Sequence, residues 1–297
     1  MRIMVISDLN DSYGSITYSS EVHGVIAKID SIKPDIILCG GDMIAGQKAS
    51  LTRQEVRAMW QGFARAVFDP ITRRGIPFAF TMGNHDASPN FIHDRAEASI
   101  FWKKQKENTN LDFIDDTHYP YYFSYKQNNV FFISWDASSA VIPANVLSWM
   151  EQQLTSRFAT SARARIVMGH LPLYAIVESK NRSGEVLDSP DQTIAFLKRY
   201  NVQMYVSGHQ HAYFPGVKNE VILLNNGCLG DGPRRLLGQR SKGSKSYSII
   251  DIPKESGIDF RTIRAFYAED HRQIQDWNFP DSIAGFNGVV YRSDFGQ

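Results

Sequence analysis

The sequence predicts an α/β fold whose site lies at the carboxyl ends of strands, and three observations carry that reading. Short apolar runs alternate with longer stretches of helical period, the pattern of α/β architecture. Five of those runs end directly in clusters of Asp, Asn, His and Gly. The chain has 297 residues, 43% hydrophobic and 21% charged, enough to bury a large core, and nothing in it marks a linker.

Residues 3–7 are the first predicted strand. Residues 21–32 carry Val22, Val25, Ile26, Ile29 and Ile32 at helical spacing, and Lys33-Pro34 stops them before a second strand at 35–39. Residues 53–68 place Val56, Met59, Trp60, Phe63 and Val67 on one helical face ahead of a strand at 77–82. A third helical stretch, 96–106, precedes the aromatic runs 121–125 and 130–135, which flank Gln127-Asn128-Asn129 as a β-hairpin. Pro143 opens a helix over 143–158, followed by a buried strand at 164–168, and the helix 192–200 and strand 203–207 repeat that pairing. The last third reads as β at 221–224, 247–252 and 258–266. Residues 1–268 are read as one domain, and 269–297, aromatic and polar without a clear period, as an irregular tail packed on it.

Lys plus Arg number 32 against 31 Asp plus Glu, so a net charge of +1 gives no global field to hold a long nucleic acid. Cys39 and Cys228 each sit beside an apolar run and read as two buried thiols rather than a disulfide. Met1-Arg2 leads straight into an apolar run, and no apolar span is long enough to cross a membrane. The expectation is a cytoplasmic protein without a membrane partner.

The five clusters are Asp8-Leu9-Asn10, Gly41-Asp42, Gly83-Asn84-His85-Asp86, Gly169-His170 and Gly208-His209-Gln210-His211. Ligands of open α/β sheets bind outside the carboxyl ends of strands, so clusters spread over two hundred residues can meet in one crevice. Carboxylates, imidazoles and one amide oxygen suit borderline divalent cations such as Mn, Fe, Zn or Co. Two such ions about 3.5 to 4 Å apart can hold a hydroxide nucleophile and stabilise both oxygens of an in-line phosphoryl displacement.

In order and content these clusters resemble the calcineurin-like metallophosphoesterase family over about residues 1–230. The resemblance implies a four-layer α/β/β/α sandwich, two mixed β-sheets flanked by helices, and two divalent metal ions, Mn, Fe or Zn. It implies Asp8, Asp42 and His211 around the first ion, and Asp42, Asn84, His170 and His209 around the second, with Asp42 as the bridge. It also implies that Asn84 and His85 face the substrate, and that His85 serves the leaving oxygen. Asp86, next in sequence, is the expected carboxylate partner that orients the His85 ring and shares its catalytic role.

Where the family has a second His in its first motif, this chain has Asn10. An amide oxygen there makes a harder first site, favouring Mn, with Asp11 as the neighbouring alternative oxygen and a plain turn residue as the other reading of Asn10. Residues 231–245 hold Arg234, Arg235, Arg240, Lys242 and Lys245 among glycines and serines, which reads first as a solvated mobile loop. The sharper reading is that Arg234 or Arg235 clamps a substrate phosphate or carboxylate. Tyr119, Tyr121 and Tyr122 read as packing before substrate stacking, and His23, His93 and His118 are given no role.

Function is therefore expected to be hydrolysis of a P–O bond in a small phosphate ester, a diester ahead of a monoester. A catalytically impaired scaffold of the same fold is the alternative that Asn10 keeps open. Selectivity is expected from the loops 171–190 and 231–245.

Overall fold

A computed structural model describes residues 1–254, 258–259 and 262–294. Strand β1 (Arg2–Ile6) leads through α1 (Ser20–Ala27) and α2 (Ile29–Ile32) to β2 (Ile36–Cys39). From there α3 (Arg53–Phe63), a π-helical turn (Ala64–Phe68) and α4 (Asp69–Thr72) reach β3 (Phe78–Phe80). The predicted helix 53–68 thus changes period at residue 64. Pro70 has no N–H for the Ala66 carbonyl, and the wider turn carries the Asp69 N–H to the Ala64 carbonyl instead. Thr52 and Glu55 close a capping box at the start of α3.

Next come α5 (Asn84–Ala87), α6 (Ile92–Gln105), β4 (Asp112–His118), β5 (Tyr122–Gln127) and β6 (Val130–Ser134). The chain continues as α7 (Ala144–Thr155), α8 (Arg157–Thr160), β7 (Ala164–Met168), α9 (Pro190–Arg199), β8 (Met204–Ser207), β9 (Phe214–Lys218) and β10 (Val221–Asn225). It ends as β11 (Ser246–Asp251), β12 (Ile263–Tyr267), β13 (Gln273–Ile274), β14 (Ser282–Gly285) and β15 (Gly288–Arg292). The expected strand 258–266 is β12, and its residues 260 and 261 lie outside the described residues.

Two mixed sheets result. One has six strands in the order β13-β12-β11-β1-β2-β3, the other nine in the order β14-β15-β9-β10-β8-β7-β6-β5-β4. Both faces of the larger sheet's central strands are buried, and strand alternation assigns each residue its side. Val130, Phe132, Ile166 and Met168 share a core with Ile3, Val5 and Ile37 of the smaller sheet. Phe131, Ile133 and Val167 instead pack with Val146 and Met150 of α7 and Ile194 and Leu197 of α9. This is the four-layer arrangement that the family resemblance implied.

The tail differs from expectation. Residues 273–274 add an edge strand to one sheet and the β14–β15 hairpin adds two strands to the other, so residues 269–294 are packed on the domain through paired strands rather than as an irregular tail. Cys39 and Cys228 are free and buried. Among the described residues no helix is long and apolar enough to cross a membrane.

Strands β1, β2 and β3 run parallel, as do β6, β7, β8 and β10. The loops that leave β1, β2, β3, β7 and β8 therefore emerge where the five polar clusters lie.

Candidate metal centre

Asp8, Asp42, His209 and His211 all adopt left-handed backbone, with φ of 50°, 53°, 64° and 52°. For residues other than glycine that conformation costs about 1–3 kcal/mol each and is held by the structure around it. Hydrogen bonds between the loops supply the hold. The Asp8 N–H donates to the Gly41 carbonyl (2.9 Å), and the His209 N–H donates to both Asp8 carboxylate oxygens (3.1 Å). Glycine is required at two of the crossings: a Cβ on Gly83 would lie 2.1 Å from Asp42 Oδ1, and one on Gly208 2.0 Å from Ser7 Oγ.

The side chains then converge in two buried groups, Asp8, Asp42 and His211, and Asp42, His170 and His209, whose facing atoms lie within 4.8 Å of one another in each. Asp42 belongs to both. His170 Nε2 lies 3.2 Å from Asp42 Oδ2 and 3.0 Å from Asn84 Oδ1, while its Nδ1–H donates to the Gly40 carbonyl at 2.7 Å. Gln47 Oε1 accepts from Asn84 Nδ2 (2.7 Å), which turns the Asn84 oxygen toward His170. His211 points Nε2 at Asp8 Oδ1 (3.2 Å), and its Nδ1–H donates to the Asp231 carbonyl (3.0 Å). His209 directs Nδ1 to His170 Nε2 (3.2 Å), and its Nε2–H donates to Glu185 Oε2 (2.9 Å). Each imidazole thus has one nitrogen fixed by an outer oxygen and the other turned inward, as metal-binding histidines do.

Electrostatics agree with a cation-binding role. Burial disfavours charge on His170, but the Asp42 and Asp8 carboxylates outweigh it and raise its pKa to about 9. Those carboxylates favour positive charge beside them, and a divalent ion held there would take the place of that proton. Burial, followed by the nearby Lys180 ammonium, lowers His209 to about 3, so its ring is a neutral donor.

The sequence profile of the calcineurin-like phosphoesterase family matches residues 1–213. The chain belongs to this family. No curated protein matches it in sequence. In fold it is similar to a purple acid phosphatase from yellow lupin (Lupinus luteus) seeds, with a TM-score of 0.65, 13% identity, and 93% of this chain aligned to 52% of that one. The chain therefore spans about half the length of the lupin phosphatase. It is also similar to GAP50, the anchor in the inner membrane complex of Plasmodium, with a TM-score of 0.52, 14% identity, and 93% of this chain aligned to 87% of that one. At these identities the likeness is one of fold.

Beside the two groups this phosphoesterase-family chain has an open cavity of about 440 Å³, lined by Tyr13, Asn84, His85, Ser138, Lys180 and Arg234 among others. His85 borders it with its ring outside both groups, Nε2 lying 3.9 Å from Asp42 Oδ2. Its Nδ1 contacts the Gly46 carbonyl at 3.1 Å, and Tyr13 lies against the ring at 5.3 Å between centroids.

Two expected residues stand elsewhere. Asp86 does not orient His85: it is fully buried and accepts from the N–H groups of Met43 (2.8 Å), Ile44 (3.0 Å) and Gly83 (2.8 Å). A carboxylate in the first turn of α5 lies closer to the loop amides than to the ring beside it, so Asp86 ties the Asp42 loop to the Asn84 loop. Burial, then the charge of Asp42, pushes it up to about 7. Arg235 pairs with Glu178 and does not line the metal cavity, whereas Arg234 does. Asn10 is nearly buried, and its side chain makes no hydrogen bond to a described residue.

Gln47, Glu185, Lys180 and Tyr13 are the site residues that sequence reasoning missed. Each comes from a loop with no periodic signal, although 178–185 falls in the 171–190 loop expected to govern selectivity. Tyr119 packs with Phe80, Phe113 and Phe123, and Tyr122 with His118 and Trp149, which is the packing role expected of them.

Proposed function

We propose that this chain hydrolyses a P–O bond in a small phosphate ester with two divalent ions, held by Asp8, Asn10, Asp42 and His211 and by Asp42, Asn84, His170 and His209. The observation that carries this reading is the pair of buried ligand groups that share Asp42. Such ions supply Lewis acidity that activates water and polarises phosphoryl oxygens. The chain's own residues do the rest. Asp42 holds the two groups together, Lys180 and Arg234 offer cations to phosphate oxygens, and His85, when doubly protonated, presents Nε2–H to the leaving oxygen. Asn10 adds an oxygen to the first group, and oxygen donors favour Mn there.

In this reading a small diester is the substrate favoured ahead of a monoester. The two unpaired buried thiols support a cytoplasmic setting.

The test is an assay of metal-stripped protein titrated with Mn against nitrophenyl phosphate and bis(nitrophenyl) phosphate. Activity is expected to rise along a saturable curve, with kcat/KM higher for the diester. A fully loaded protein that cleaves neither ester overturns the reading in favour of a non-catalytic scaffold.

Glu185→Ala tests the support of the second group. Removing the carboxylate that fixes His209 is expected to weaken the second ion about 10- to 100-fold in calorimetric titration, leaving the first ion less affected. Equal affinity for both ions in variant and wild type would take Glu185 out of the metal site.

A further inference from the structure

A second cavity, of about 760 Å³, adjoins the metal cavity, and Ser179 and Arg234 line both. Four cations, Arg234, Arg235, Arg240 and Lys242, border it with one acid, Glu178. That acid is engaged by Arg235. Among the described residues Arg234, Arg240 and Lys242 have no carboxylate partner, and the buried Nε of Arg234 has no hydrogen bond. The chain as a whole carries a net charge of +1, so this is a local concentration of unmatched charge.

Backbone contacts hold the walls at several points of the 231–245 loop, which is largely exposed. Val177 and Leu236 form a bridge, the Glu178 N–H donates to the Arg235 carbonyl (3.1 Å), and the Leu237 N–H donates to the Ile176 carbonyl (2.8 Å). The Arg234 N–H donates to the carbonyl of His211 (3.2 Å), and the Gly243 N–H closes the loop on the Arg234 carbonyl (2.9 Å). The trough is thereby fixed to the metal centre through the same residue that lies between the two cavities. Guanidinium forks match phosphoryl oxygens in pairs, and an unpartnered buried N–H gains most from a charged acceptor.

We propose that the trough binds a second phosphoryl group, so that the substrate is a small ester bearing two separated phosphoryl groups, one at the metal centre and one here. The proposal rests on the phosphoesterase reading for the first group and on the trough alone for the second. A non-hydrolysable series separates the two: alkyl bisphosphonates of increasing chain length, each against its monophosphonate, titrated by calorimetry into the Mn-loaded protein. At the chain length that spans the cavities, the bisphosphonate is expected to bind more tightly by about tenfold or more. In the double variant Arg240→Ser, Lys242→Ser, whose substituted side chains are exposed, that ratio is expected to fall toward one.

No preference at any chain length, or a ratio unchanged in the variant, overturns the trough as a phosphoryl site. Because binding is read without turnover, a preference seen in protein that cleaves no ester sustains the trough while the hydrolytic reading fails. Ester cleavage without the preference does the reverse.

Discussion

Asp42→Ala is expected to lower turnover about 10³-fold or more and to remove both ions from the protein. Asp42 is the only residue common to the two buried groups, so its loss leaves each with fewer charges to offset a divalent cation. Lewis acidity at a phosphoryl centre contributes several kcal/mol, and roughly 4 kcal/mol corresponds to about 10³ in rate. The substitution also deletes an acceptor of the His85 N–H (2.9 Å), so Asp42→Asn, which keeps one oxygen there, is the companion variant. Thermal melts with and without Mn separate folding from binding. Each ion at about a hundred times its dissociation constant stabilises wild type by about 2.7 kcal/mol. Both variants are expected to melt as cooperatively as wild type without metal and to gain little on adding it. Wild-type turnover with both ions present in either variant would remove Asp42 from the bridging position.

The reach of sequence reasoning follows from where each kind of residue sits. Asp8, Asp42, Asn84, His170, His209 and His211 were legible because each follows a strand whose apolar run is unmistakable, and the parallel order of those strands brings their ends together. Their supporting residues were not. Glu185 and Lys180 lie 24 and 29 residues before His209 in an aperiodic loop, and Gln47 lies 37 before Asn84. Nothing local in the sequence reports such a meeting. Asp86 misled for the opposite reason, since adjacency in sequence to His85 does not place two side chains together at the start of a helix.

Strands were missed where composition opposes β structure. β4 reads Asp-Phe-Ile-Asp-Asp-Thr-His and is a half-exposed edge with shifts of register. β9 contains Pro215 and Gly216, which argue against a central strand, yet it lies between β15 and β10. For the tail the local signal misplaced the turn: Asn287-Gly288 suggests a hairpin turn, but Gly288 is already paired with Gly285, and the two-residue turn is Phe286-Asn287.

His85→Ala is expected to cost about 10² to 10⁴ in kcat on alkyl phosphate esters, the scale of a positioned general acid, while leaving the content of both ions intact. The ring belongs to neither ligand group, and its backbone N–H, the donor to Asp42, survives the substitution. What is lost is a side chain fixed by the Gly46 carbonyl at Nδ1, flanked by Tyr13, and free to meet substrate at Nε2. An alkoxide leaves poorly without a proton, whereas a nitrophenolate needs none. The defect is therefore expected to shrink toward wild-type rates on nitrophenyl esters, and the slope of log kcat against leaving-group pKa to steepen in the variant. Equal losses on alkyl and nitrophenyl esters would assign His85 to holding the phosphoryl group. A loss accompanied by loss of an ion would instead make it part of the metal site.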